Sequence, residues 1–335
     1  MKKAIYHPNL GLFGGGEALC AKIAEIVGEV DILTKDDVKK EELEGFFDVN
    51  LRKANLVRLK TVLGPHSAQS SILLRASYPL LEKYDLVIDT CTNGWFDRKL
   101  KAKTFCYVHF PQFQKNKPLT RPLMKHLVIQ PESAFKYDKI VCNSRFTQDA
   151  LKRYGVSADI IYPPVATSRI KPGKKDDLIV SIGRFTYEKK HEVMIDAFRQ
   201  MGAKGWKLVL VGAFRDEALY KKEYLSMLKE KAKGLDIEFM LNVPHPEVIK
   251  ILQKAKIYWH ARGYGEKGEE EHESFGMTTV EAMAAGCIPV VIHLGAQPEI
   301  IGKAGFLWET PEELGAITEK IISGYRANPA IVKRA

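Results

Sequence analysis

At 335 residues the chain is too long for one ordinary hydrophobic core and suits two domains. Its 45% hydrophobic and 27% charged residues exclude a disordered or fibrous protein. No apolar run is long enough to span a bilayer, and the start Met1-Lys-Lys-Ala-Ile-Tyr-His-Pro8 lacks the apolar stretch of a signal peptide. The five cysteines are scattered without a C-x-x-C pair, against a disulfide framework or a zinc site, so the expectation is a cytoplasmic protein with reduced thiols.

Short β-branched or aromatic runs alternate with amphipathic stretches along the chain, the pattern of parallel α/β architecture. Strands are predicted at Ala4–Tyr6, Val30–Leu33, Leu86–Asp89, Thr104–His109, Lys139–Cys142 and Ile160–Tyr162. A helix is predicted over Gly15–Val27 with Ala18, Ile23, Ile26 and Val27 facing inward, and another after Ser144, a good N-cap. The Pro-, Gly- and charge-rich segment 166–176 reads as a linker. A second series follows, with strands at Leu178–Ile182, Lys207–Val211, Ile237–Leu241, Ile257–His260, Ile288–Ile292 and Gly305–Leu307. Its helices are predicted at Lys190–Arg199, Leu219–Lys231, His245–Lys254, Gly276–Ala285 and Glu312–Ser323. Two such halves imply two Rossmann-like domains facing across a cleft, over 1–166 and 167–323, followed by a tail over 324–335 that either returns toward the first domain or stops short of it.

The net charge of +10 is uneven: residues 1–165 hold 25 Lys and Arg against 18 Asp and Glu, and residues 166–335 hold 26 against 23. Residues 51–81 and 98–125 carry five and eight basic side chains and no acid, a face suited to an anionic partner or simply to water. Several catalytic signatures are missing, among them the P-loop, H-E-x-x-H and D-x-D. Gly263-Tyr-Gly-Glu-Lys-Gly268 satisfies G-x-G-x-x-G, but it runs into Glu269-Glu-Glu271, where a pyrophosphate would meet three carboxylates.

Four stretches carry candidate chemistry. Gly14-Gly-Gly-Glu17 joins the first strand to the first helix; it is either a tight turn or a loop whose amides approach a ligand. Arg184 and Lys189 follow the first strand of the second half, where two cations are either surface charges or a grip on a diphosphate. His109 ends an apolar strand, as a structural residue or a hydrogen-bonding partner of a substrate. In Glu273-Ser-Phe-Gly-Met-Thr-Thr-Val-Glu281 the two carboxylates flank a helix start near Gly276, which suits an elongated ligand with central phosphates and hydroxyls at both ends. His126, His191, His245, His260, His272 and His293 read as structural or surface residues.

Taken in this order and spacing, Gly14–Glu17, Gly183-Arg184 with Glu188-Lys189, and Glu273–Glu281 followed by Gly286-Cys-Ile-Pro289 resemble the retaining glycosyltransferases of family 4, with the GT-B fold. Within that family Cys106-Tyr-Val-His-Phe-Pro111, Asn143-Ser144 and Tyr162-Pro-Pro164 are most similar to the eukaryotic α-1,2-mannosyltransferases that extend lipid-linked oligosaccharides. The resemblance implies transfer of a hexose, mannose or glucose, from a GDP or UDP sugar to a glycan hydroxyl, with retention and without metal or other cofactor. It implies that Glu273 contacts the donor sugar's hydroxyls and that Phe275, Gly276 and Met277 offer backbone contacts to sugar or phosphates. Glu281 would bind the ribose, and Gly15, Gly16, Arg184 and Lys189 would receive the diphosphate. His109, with Glu273, would stand at the reaction centre. The acceptor would be a lipid-linked glycan, with the basic stretches resting on an anionic membrane face, or a soluble polysaccharide or small molecule. Nucleic acid is the remote alternative, since no recognition motif accompanies the basic charge.

Overall fold

A computed structural model describes residues 1–60, 69–91, 95–112, 129, 133–214 and 219–327. The chain divides into two compact units, Met1–Pro164 and Val165–Ala335. The first contains β1 (Lys3–Tyr6), α1 (Gly15–Val27), β2 (Val30–Thr34), α2 (Lys40–Phe47), β3 (Ala54–Arg58) and α3 (Gln69–Leu81). It continues through β4 (Leu86–Asp89), β5 (Lys103–Val108), β6 (Lys139–Cys142), α4 (Arg145–Lys152) and β7 (Asp159–Ile160). Its strands pair in parallel in the order β3-β2-β1-β4-β5-β6-β7, so the order reverses between β1 and β4. The carboxyl ends of those two strands form the crevice where open α/β sheets place ligands.

The second unit repeats the plan. It runs through β8 (Asp176–Ile182), α5 (His191–Met201), β9 (Lys207–Gly212), α6 (Leu219–Lys231), β10 (Ile237–Leu241) and α7 (His245–Lys254). It closes with β11 (Ala255–His260), α8 (Met277–Ala284), β12 (Ile288–Ile292), α9 (Gln297–Ile301), β13 (Phe306–Trp308) and α10 (Pro311–Ala327). The parallel order β10-β9-β8-β11-β12-β13 puts the switch between β8 and β11. Every residue of β12 is buried, as expected for a strand covered on both faces. Apolar layers lie on each side of this sheet, one around Trp259, Leu210 and Phe198, the other around Tyr258, Val291 and Leu252.

Most predicted elements fall within a few residues of their observed bounds. The inner face of α1 differs: Leu19, Cys20, Ala21 and Ala24 are buried, whereas Ile26 is 68% exposed. Ile23 and Val27 pack against the same core only partly buried, and Ile26 points away from it. β3 was hidden by Arg52, Lys53, Arg58 and Lys60, since an edge strand tolerates charge at its rim. α2, α3 and α9 were also unforeseen. α10 extends through Ala327, past the predicted end at Ser323, and residues 328–335 of the expected tail lie outside the described residues.

Candidate active site

In the second unit the residues after β8 and β11 meet at the switch point. Gly183 is held by a hydrogen bond from its N–H to Val211 O, and a short helical turn, Tyr187–Lys189, brings the Lys189 ammonium back toward the sheet. Lys189 Nζ lies 2.8 Å from Glu273 Oε2. His260, at the end of β11, places Nε2 3.2 Å from the same oxygen, and Arg262 Nη1 lies 3.7 Å from Oε1. The backbone of Glu273 is fixed as well, its carbonyl accepting from Ala296 N–H at 2.8 Å.

These contacts decide the charge of the carboxylate. Burial pushes Glu273 up, but Lys189, Arg262 and His260 together hold it well below the usual carboxylate range. Burial lowers Lys189 and His260 in turn, and Glu273 opposes the fall in both. Glu273 is therefore an anion at neutral pH, beside the cations Lys189 and Arg262, with His260 at its Oε2. Arg184 stands apart from this contact: its Nη2 is 3.3 Å from Glu188 Oε1, and its side chain is partly open to solvent.

Gly276 joins Glu273 to α8. Its φ of 99° lies in the left-handed region, and a Cβ there would approach Gln297 Nε2 to 2.6 Å. α8 starts with no side-chain cap, so its first amides, beginning at Met277, are not occupied by a capping side chain. Phe275 is buried beside this turn. Glu281, in the second turn of α8, is buried and accepts from His245 Nε2 at 2.7 Å. The predicted carboxylates thus flank an uncapped helix start, as their spacing suggested. The histidines that hold them, His260 and His245, look structural or superficial in the sequence because their partners are far away along the chain. The one available hint was the position of each: His260 ends a strand and His245 opens a helix, both at the ligand edge of a parallel sheet.

In the first unit β1, α1, β4 and β5 bring a second group together. His7 Nδ1 lies 2.9 Å from Thr90 Oγ1 and its Nε2 3.4 Å from Glu17 Oε1, while Glu17 Oε2 accepts from Gly14 N–H at 2.6 Å. Burial works against the Glu17 charge, but His7 and the Gly14 amide hold the carboxyl below its usual range. Glu17 thus clamps the glycine loop to the ends of β1 and β4. A Cβ added at Gly16 would sit 3.7 Å from His109 Cε1 and Nε2, whereas nothing lies within 4 Å of one added at Gly15.

His109 is pushed down to about 4 by burial and by His7, against Glu17 and a hydrogen bond to the Thr90 backbone. Its Nε2 is buried without a partner among the described residues. With the Thr90 carbonyl taking the other ring N–H, Nε2 of the neutral ring is an acceptor aimed beside Gly16.

The basic stretches divide. Arg75 pairs with Asp97 and Arg98 with Glu82. Tyr107 and Phe110 are buried, so neither belongs to the expected membrane face, while Phe105 is 40% exposed. Leu100, Lys101, Lys103, Phe105 and Lys139 line a surface depression at the amino ends of β5 and β6, the end of the sheet opposite His109. Positions 61–68, 92–94 and 113–128 of or near these stretches lie outside the described residues. The G-x-G-x-x-G segment leads into a short turn at Glu269–Glu271, and Glu266 pairs with Lys190 at 2.5 Å. Among the described residues no helix is long and apolar enough to cross a membrane.

Two doubly wound parallel sheets in one chain, each with a glycine-bearing switch point, match the architecture of GT-B glycosyltransferases. The model of Glycosyltransferase Family 4 matches residues 19–169, and that of Glycosyl transferases group 1 matches residues 166–331. The chain belongs to this family of glycosyltransferases. It is 28% identical over 195 residues to the GDP-Man:Man(3)GlcNAc(2)-PP-Dol alpha-1,2-mannosyltransferase of Dictyostelium discoideum, covering 51% of this chain and 37% of the relative. The Xenopus laevis protein of the same name is 30% identical over 211 residues, 56% of this chain and 41% of that protein. The chain thus spans about two fifths of the length of these curated relatives. Alpha-1,3/1,6-mannosyltransferase ALG2 of Candida glabrata is 25% identical over 72% of this chain and 60% of its own length. Among solved structures, Anabaena Alr3699/HepE in complex with UDP-glucose superposes with a TM-score of 0.74 at 16% identity, covering 100% of this chain and 93% of that one. Sucrose-phosphate synthase from Thermosynechococcus elongatus gives 0.71 at 14% identity, covering 100% and 92%.

Proposed function

We propose that this glycosyltransferase moves mannose from GDP-mannose to a hydroxyl of a lipid-linked glycan, with retention of configuration and without a divalent ion. The observation that carries the donor assignment is the Glu273 carboxylate, kept charged by Lys189, Arg262 and His260 at the head of uncapped α8, with Glu281 one turn further. Glu273 takes the sugar hydroxyls, the amides from Phe275 to Met277 meet the sugar and phosphates, and Glu281 takes the ribose. Lys189 and Arg184 neutralise the diphosphate, the task a divalent ion performs elsewhere.

In the reaction the acceptor oxygen bonds to the anomeric carbon on the face from which the diphosphate departs. The bond from that carbon to the diphosphate oxygen breaks, and the acceptor's proton passes to the departing phosphate. Negative charge grows on the diphosphate, where Lys189 and Arg184 act. In the first unit the neutral His109 offers Nε2 as an acceptor for a hydroxyl, beside the open backbone of Gly15 and Gly16, which suits close approach of a ligand. The choice of mannose and of a lipid-linked acceptor follows the names of the sequence relatives. Peripheral contact with an anionic membrane face goes with that acceptor, through the cationic stretches that hold Phe105.

The test is thermal unfolding with GDP, UDP, ADP and their sugar conjugates in EDTA, followed by turnover on two acceptors. A nucleotide at a hundred times its dissociation constant adds about 2.7 kcal/mol of stability. Stabilisation by GDP alone in EDTA supports the donor assignment, and absence of any shift defeats it. Transfer to a detergent-dispersed polyprenyl-linked glycan but not to the free oligosaccharide supports the acceptor class, and the reverse replaces it with a soluble acceptor.

A further inference from the structure

His245 opens α7 directly after Pro244, at the carboxyl edge of the second sheet where β10 ends. Its Nε2 lies 2.7 Å from Glu281 Oε1, and its side chain is 31% exposed while that of Glu281 is 9% exposed. Glu281 Oε2 has no hydrogen bond among the described residues. A buried carboxylate with one oxygen held by an imidazole is fixed in orientation, and its second oxygen points in a defined direction.

A purely architectural role for this contact is poorly motivated. α7 and α8 are already joined by apolar packing of Val248 and Leu252 with Ala282 and Ala285, farther along both helices. The histidine adds a polar contact only at the ligand edge, and it adds it to the one carboxylate of α8.

We propose that His245 is a positioning residue for the nucleotide: by holding Glu281 Oε1 it turns Oε2 toward the vicinal hydroxyls of the donor ribose. This rests on the ribose assignment of Glu281 given above. His245 itself need not touch the ligand. Its contribution is to remove the rotamer freedom of Glu281 before the nucleotide arrives.

The experiment is calorimetric titration of the whole chain with GDP and UDP and with their 2′,3′-dideoxy counterparts. It uses the native protein, His245→Ala and His245→Gln, each first checked for an unchanged thermal transition. The native protein is expected to favour the ribose form, and His245→Ala to reduce that preference about tenfold, as loss of a hydrogen bond to a charged group does, with dideoxy affinity unchanged. His245→Gln, which keeps an N–H donor, is expected to recover most of the preference. A preference retained in full by His245→Ala, or an equal loss for ribose and dideoxy forms, overturns the proposal while leaving Glu281 as ribose ligand. A native protein that binds neither nucleotide, or does not distinguish ribose from dideoxyribose, overturns the ribose assignment and the role of His245 with it.

Discussion

Glu273 and Glu281 lie eight positions apart and have opposite surroundings. Glu273 is enclosed by Lys189, His260 and Arg262, whereas Glu281 pairs with His245. Glu273→Gln keeps the shape and removes the charge, so turnover should fall about a hundredfold, the order seen when one transition-state contact is removed. Its nucleotide affinity should stay within about threefold. Glu281→Ala should weaken nucleotide binding about tenfold by loss of a hydrogen-bonded charge. Calorimetry with steady-state kinetics checks both, and an equal loss of binding in the two variants would reject the division of labour. Lys189→Ala removes the nearest cation from a buried carboxylate. It should cost about 2 kcal/mol in denaturant unfolding, less than a fully orphaned charge because Arg262 and His260 remain. Nucleotide diphosphate affinity should fall in the same variant, while nucleoside affinity should not.

At the scale of elements, the donor site depends on how α8 begins. Gly276 supplies a left-handed turn that lets the chain pass from Glu273 into the helix while its first amides remain uncapped. Gly276→Ala meets both a φ of 99° and Gln297 Nε2 at 2.6 Å. Destabilisation of about 2 kcal/mol is expected, with loss of nucleotide-induced stabilisation in a thermal scan. The first unit uses a different device, a carboxylate within the helix. Glu17 bonds the Gly14 amide and His7 at once, and so joins the glycine loop to two strand ends. Both helix starts were legible as glycine-bearing turns in the sequence. What could not be read there was which side chain closes each turn, because the partners come from β1, β4, β11 and α7.

At the scale of the whole molecule, buried histidines couple stability to pH. His191 is fully buried and stacked on Phe185, and burial, with Lys189 and His260 nearby, pushes it down to about 3. Above the unfolded value near 6.5 the ring is neutral in both states and pH has no effect through it. Below that value the unfolded chain takes a proton that the folded chain refuses, so stability falls as pH drops from about 6.5 toward about 3. The slope is at most about 1.4 kcal/mol per pH unit for each such histidine. His109, with its value near 4, acts with the same sign over a narrower window. Thermal midpoints measured between pH 7 and pH 4 should therefore fall steeply, and His191→Phe should flatten the slope. A midpoint independent of pH over that range would show that the ring is charged in the folded state.

The sequence by itself determined the architecture and the chemical vocabulary of the protein. Period-two and period-3.6 patterning are local properties, so Gly15–Val27, Leu219–Lys231 and His245–Lys254 could be read to the residue, as could the glycines that a tight turn demands. The Glu273–Glu281 spacing across a helix start was local in the same sense. Tertiary structure alone decided the partners. Lys189 reaches Glu273 across 84 positions and His245 reaches Glu281 across 36, because parallel strand order returns distant loops to one edge of a sheet. Charge at Glu273 depends on burial and on neighbours less than 4 Å away, and neither exists until the sheet has formed.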